Sequence, residues 1–137
     1  MHKILVPLDG SKPSLRALDK AIYLARQCRA TITGLHVISL YPKNLTDMIV
    51  PLKTNLFKNA DNLMDLAETA CAKQGIVFHK KVAYGDPKSR IGDFVSHGRF
   101  DLVVMGARGL GPVREMLLGS VSNGVLHRSK TNVLIVR

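Results

Sequence analysis

The sequence predicts an α/β protein, a doubly wound five-stranded parallel sheet ordered 3-2-1-4-5 with helices on both faces. Three observations carry that prediction. Short, nearly continuous apolar runs alternate with longer stretches of helical periodicity, the pattern of strands buried on both faces by helices. Turn and cap residues separate the two kinds of segment, so each strand hands the chain to a helix and each helix hands it back. Right-handed crossovers then leave few ways to wind five parallel strands. With 137 residues the chain fits one domain, 1–137, long enough to bury a core and too short for two ordinary ones.

The first strand is read at Ile4 to Leu8, followed by Asp9-Gly10-Ser11-Lys12-Pro13 as turn and cap. Leu15, Leu18, Ile22 and Ala25 recur at helical spacing with Arg16, Lys20 and Arg26 between them, an amphipathic helix on a sheet. Ala30 to Ile38, rich in Thr, Val and Ile, is the second strand. Ser39 to Lys53 reads as a long connection with two prolines. Leu56, Ala60, Leu63, Ala67 and Ala70 mark the second helix, and Gly75 stops it. Ile76 to Val82 is the third strand, whose Lys80-Lys81 pair discourages another chain from adding to an edge. Gly85-Asp86-Pro87 opens a short helix through Ile91, Phe94 and Val95. Asp101 to Met105, Ser120 to Ser129 and Asn132 to Val136 complete the series as strand, helix and strand.

Composition limits the function. Lys and Arg number 20 against 10 Asp and Glu, a formal charge of +10 that favours anionic partners. The basic residues are spread along the chain, aromatics are 5%, and no basic run is interleaved with stacking rings, so nucleic acid is a less favoured ligand and stays only as an alternative. No apolar run approaches the ~20 residues of a membrane span, and the opening run is too short for a signal-peptide core. The expectation is a cytoplasmic protein. Cys28 and Cys71 lack metal-ligand spacing and read as reduced thiols, and the five histidines show no paired ligand spacing, so no protein metal site is expected.

The function-bearing feature is Gly106-Ala107-Arg108-Gly109, nine residues, then Gly119-Ser120-Val121-Ser122, beginning where the apolar run Leu102 to Met105 stops. A buried strand feeding a glycine-rich loop and then a helix start presents free backbone N–H groups at one point, which suits phosphate. In the predicted strand order, the first and fourth strands are neighbours whose connections leave on opposite faces. That makes the crevice beyond their carboxyl ends the ligand position, with Asp9 and Gly106 both beside it. Glycines at 109 and 119 let the backbone approach closely and permit positive φ, and Ser120 and Ser122 add donors and caps. Asp9 is readable either as a helix cap or as a ligand contact. A Walker A loop is excluded because Gly111 is followed by Pro112-Val113, and the dinucleotide fingerprint because the glycines follow the fourth strand and not the first. No nucleophile elbow is present, since Ser120-Val121-Ser122-Asn123-Gly124 lacks its first glycine.

These residues resemble the universal stress protein family in its ATP-binding branch, through the G-x2-G-x9-G-S spacing of Gly106, Gly109, Gly119 and Ser120. Ile4-Leu5-Val6-Pro7-Leu8-Asp9-Gly10-Ser11, Val82 through Gly85-Asp86-Pro87 to Ile91, Asp101 to Gly106, and Asn132 to Val136 are also similar to it. The resemblance implies an adenine nucleotide alpha hydrolase-like sheet and a bound ATP or AMP. Pro7, Leu8, Asp9 and Val37 would border the adenosine, and Met105 and Gly106 the ribose. Arg108, Gly109, Gly119, Ser120, Val121 and Ser122 would hold the phosphates, with any Mg2+ bound through those phosphates. Charge-assisted hydrogen bonds contribute roughly 1.5 to 3 kcal/mol each, so four or five supply much of the ~8 kcal/mol of micromolar binding before ordering costs. The loop Ala107 to Leu118 is expected to be mobile when empty and clamped by nucleotide, with Arg114 a lesser candidate for phosphate. The implied role is a stress-response sensor or switch, with no catalytic residue, acting on a protein partner that the sequence does not identify. The alternatives are a slow ATPase or phosphotransferase on the same fold, and a basic module for nucleic acid or another polyanion. The last strand, Val133 to Val136, is an uncharged edge whose two-fold pairing would give a homodimer, as the resemblance also implies.

Overall fold

The computed structural model describes residues 1–40, 47–110 and 118–137. The elements run β1 (Lys3–Pro7), α1 (Lys12–Cys28), β2 (Thr31–Ile38), α2 (Val50–Ala72), β3 (Phe78–Tyr84), α3 (Pro87–His97), β4 (Leu102–Gly106), α4 (Ser120–Arg128) and β5 (Asn132–Val136). The five strands form one parallel sheet in the order β3-β2-β1-β4-β5, as the alternation of apolar runs predicts.

Alternate residues of the central strands feed two cores, because successive side chains of a strand point to opposite faces. Ile4, Val6 and Val104 pack with Ala17, Leu18 and Ala21 of α1 and Met64 and Ala67 of α2. Leu5, Val103 and Met105 pack with Ile91 and Val95 of α3 and Val125 of α4. The cleft described below lies where these two layers meet at the carboxyl end of the sheet.

Several boundaries differ from the sequence reading, each for a local reason. Helix α2 starts at Val50, inside the stretch read as a connection. Pro51 falls in the first helical turn, where no N–H is needed, so a residue that signalled a loop is a helix opener. Strand β3 starts at Phe78 and not at Ile76. Gly75 takes a φ of 69° and the Ile76 amide donates to the Cys71 carbonyl at 3.0 Å, so Ile76 closes the end of α2 and is buried there. Strand β1 ends at Pro7 and β4 at Gly106, so Asp9 lies in the turn beyond β1. The Lys80-Lys81 pair does sit on an edge strand, but the Lys80 ammonium reaches α2, 2.5 Å from Asp65 and 2.7 Å from Glu68. The expected nucleotide-dependent mobility of Ala107 to Leu118 falls largely on 111–117, and Arg114 wholly so; both lie outside the described residues.

Candidate functional site

A cleft of about 700 Å³ opens at the carboxyl end of the sheet, within the size range of small-molecule sites. Its floor comes from the ends of β1, β2 and β4, one wall from α2 and the opposite wall from α3 and α4. Pro7, Leu8, Asp9, Val37, Met105, Gly106, Arg108, Gly109, Gly119, Ser120, Val121 and Ser122 all line it. Residues more than a hundred positions apart are thus gathered by the neighbouring of β1 and β4.

The glycine spacing works here through space. Gly119 has a φ of −60°, and Gly109 is absent from the positive-φ glycines Gly10, Gly75 and Gly85, so the expected left-handed backbone at 109 and 119 is not found. A Cβ at Gly109 would stand 2.6 Å from Asp9 Oδ2, and one at Gly106 would stand 2.8 Å from the Pro13 carbonyl carbon. Glycine is what lets the chain after β4 pass so near the turn after β1. Gly119 is held back against the chain just after β4, its amide donating to the Ala107 carbonyl at 2.8 Å.

Among the described residues, the first amides of helix α4 meet no partner. The cap position is Gly119, no side chain caps it, and no acidic residue occupies the first turn. Ser120 and Ser122 are therefore not caps. Because the Gly119 amide is taken by Ala107, the donors of the helix left unfilled among the described residues are those of Ser120, Val121 and Ser122, at the positive end of the helix dipole. The Ser122 hydroxyl is also committed, donating to the Gly106 carbonyl at 2.7 Å in a buried position, so its proton points into the structure. Ser120 is exposed and keeps its hydroxyl. Half-buried Arg108 also lines the cleft, its backbone lying against Gly119.

Asp9 is not the helix cap. Ser11 caps α1, its Oγ accepting from the Ser14 amide at 3.2 Å, while Asp9 Oδ1 accepts from the Ser11 amide at 2.9 Å. Asp9 is the one carboxylate in the lining among the described residues. The Leu8 side chain is buried in the core with α1, and its amide donates to the Leu35 carbonyl.

Sequence reasoning passed over the α2 wall and His36. Leu56, Asn59 and Leu63 line the cleft from α2, and Asn59 lies three residues from one leucine and four from the other, the spacing of one helix face. A polar residue on the apolar stripe was the available signal. His36 lines the floor beside Val37, with Nδ1 2.8 Å from the Leu8 carbonyl oxygen. Pro87 and Ile91 of α3 close the opposite wall. Among the described residues, no three His, Cys, Asp or Glu side chains gather as a metal site.

Comparison with known proteins decides the family. The profile of the universal stress protein family matches residues 1–137. The chain belongs to the universal stress protein family. A relative of this stress-protein chain, universal stress protein YxiE of Bacillus subtilis (strain 168), is 32% identical, with 99% of each chain covered. Universal stress protein UspA from Lactobacillus plantarum superposes with a TM-score of 0.87 at 26% identity, covering 99% of this chain and 97% of that one. A universal stress protein crystallised in complex with cAMP superposes with a TM-score of 0.78 at 28% identity, over 99% and 97% of the two chains. The stress-protein sheet is of the adenine nucleotide alpha hydrolase-like kind, as the sequence resemblance implies. No helix among the described residues is long and apolar enough to cross a membrane.

Proposed function

We propose that the cleft binds an adenine nucleotide, ATP or AMP, and that the chain is a cytoplasmic stress-response sensor or switch. The observation that carries this reading is the start of α4. Three adjacent amides that meet no partner among the described residues, with no acidic residue in the first turn and with Arg108 in the same lining, suit an anion at one end of a partly apolar cleft. The relative bound to cAMP supports an adenine nucleotide as the anion's owner.

In this reading Pro7, Leu8, Asp9 and Val37 border the adenosine, and Met105 and Gly106 approach the ribose. Arg108, Gly109, Gly119, Ser120, Val121 and Ser122 surround the phosphates, with the amides of residues 120 to 122 doing most of the holding. Any Mg2+ arrives on the phosphates. Asp9 lies against Gly109, so the sugar and phosphate ends of the ligand meet there. Binding without turnover is the favoured reading because, among the described residues, Asp9 is the one carboxylate in the lining and its Oδ1 already accepts from the Ser11 amide. A nucleotide held in this way would order the chain after β4 and alter a surface offered to a protein partner.

Mass spectrometry of small molecules released from freshly purified, heat-denatured protein tests the reading, together with calorimetric titration of ATP and AMP. Intact adenine nucleotide is expected, with affinity lost by tenfold or more in Arg108→Ala, the scale of one charge-assisted bond. Turnover of ATP in the presence of Mg2+, or no binding at all, would overturn it.

A further inference from the structure

His36 stands on the cleft floor, and the carbonyl beside its ring selects the tautomer. Its Nδ1 lies 2.8 Å from the Leu8 carbonyl oxygen. A carbonyl only accepts, so Nδ1 carries the proton, and in the neutral ring Nε2 is left as an acceptor. Nε2 meets no partner among the described residues. Leu56 and Leu63 of α2 and Val37 also line the cleft, so a base seated beside His36 would take this solvent-open lone pair out of water and make an unmatched partner costly.

A fixed acceptor discriminates between purines. The 6-amino group of adenine donates a hydrogen bond, whereas the 6-oxo group of hypoxanthine or guanine brings a second lone pair against the first. The Asn59 carboxamide on α2 offers both a donor and an acceptor, so it accommodates either. We propose, building on the nucleotide reading above, that His36 is a specificity-determining residue whose Nε2 selects 6-amino over 6-oxo purines at the base end of the cleft.

Calorimetric titration with ATP and with ITP, whose bases differ at position 6 and in the proton that hypoxanthine carries on N1, tests the proposal, and purine riboside triphosphate, whose N1 matches adenine, isolates position 6. The wild-type protein should prefer ATP by roughly 10- to 100-fold, the range expected when a buried polar atom is paired in one complex and opposed in the other. Purine riboside triphosphate, with hydrogen at position 6, should fall between the two. His36→Asn retains an N–H for the Leu8 carbonyl and removes Nε2. Its ATP-to-ITP ratio should shrink to within about threefold while its melting temperature holds, since the bond to Leu8 survives. Equal wild-type binding of ATP and ITP overturns the proposal, as does a variant that weakens both in parallel, the signature of a merely structural histidine. Should the variant not fold, the wild-type ranking of the three nucleotides still decides. Failure of all three to bind removes the nucleotide reading itself, an outcome distinct from equal binding.

Discussion

At Gly109 an absent side chain sets the shape of the cleft. A Cβ there would stand 2.6 Å from Asp9 Oδ2, inside van der Waals contact, so Gly109→Ala must push either the carboxylate or the loop aside. Gly109 is exposed, which leaves the core untouched. Calorimetry on Gly109→Ala should therefore show nucleotide affinity down by about tenfold, with stability changed by less than about 1 kcal/mol. The two cysteines make a contrasting pair. Burial pushes the Cys71 thiol up to about 11, while Cys28 is exposed at the end of α1. At neutral pH a thiol reagent should label one cysteine in the folded protein and the second only after denaturation. Rapid labelling of both without denaturant would contradict the packing of α2 against the sheet.

Helix α3 illustrates how much an element owes to one end. Asp86 accepts from the Ser89 amide and from its hydroxyl, each at 2.8 Å, and Pro87 follows at the first helical position. The Ser89 amide first, and its hydroxyl second, hold the Asp86 carboxyl below its ordinary value. The amides of His2 and Lys3 do the same for Asp101, which ties β1 to the start of β4. A depressed folded-state value means stabilisation present above the unfolded value and lost as pH falls through the folded one. Asp86→Ala should cost about 1 kcal/mol near neutrality by denaturant titration, and the gap from wild type should close below about pH 4. At this scale the sequence was legible wherever periodicity met a single-purpose signal. Gly75 stopped α2, and Asp86-Pro87 opened α3. Pro51 misled because proline serves both loops and first helical turns, and Ile76 because an apolar residue after Gly75 can belong to the helix end or to the strand. The glycine spacing located the cleft but not its reason, since crowding between β4 and the β1 turn arises only once distant strands are neighbours. Asn59 and His36 were hidden for the same cause: each is ordinary in its own segment and acquires a role only from what faces it.

The whole molecule places its ligand cleft on the seam between two cores and leaves β5 open at one edge of the sheet. Val133 to Val136 carry no charge, and an edge strand of this kind pairs readily. Light scattering of the purified chain should report about twice the 15.0 kDa of one chain if β5 pairs about a two-fold axis. A mass of one chain at working concentration would remove the dimer. The end of β4 has a consequence of its own. The Gly106 carbonyl receives Ser122, the Ala107 amide donates to the Val136 carbonyl, and Gly106 abuts Pro13. Three separate moorings make this point an anchorage: weight placed on the crevice bears directly on β5, α1 and α4 together.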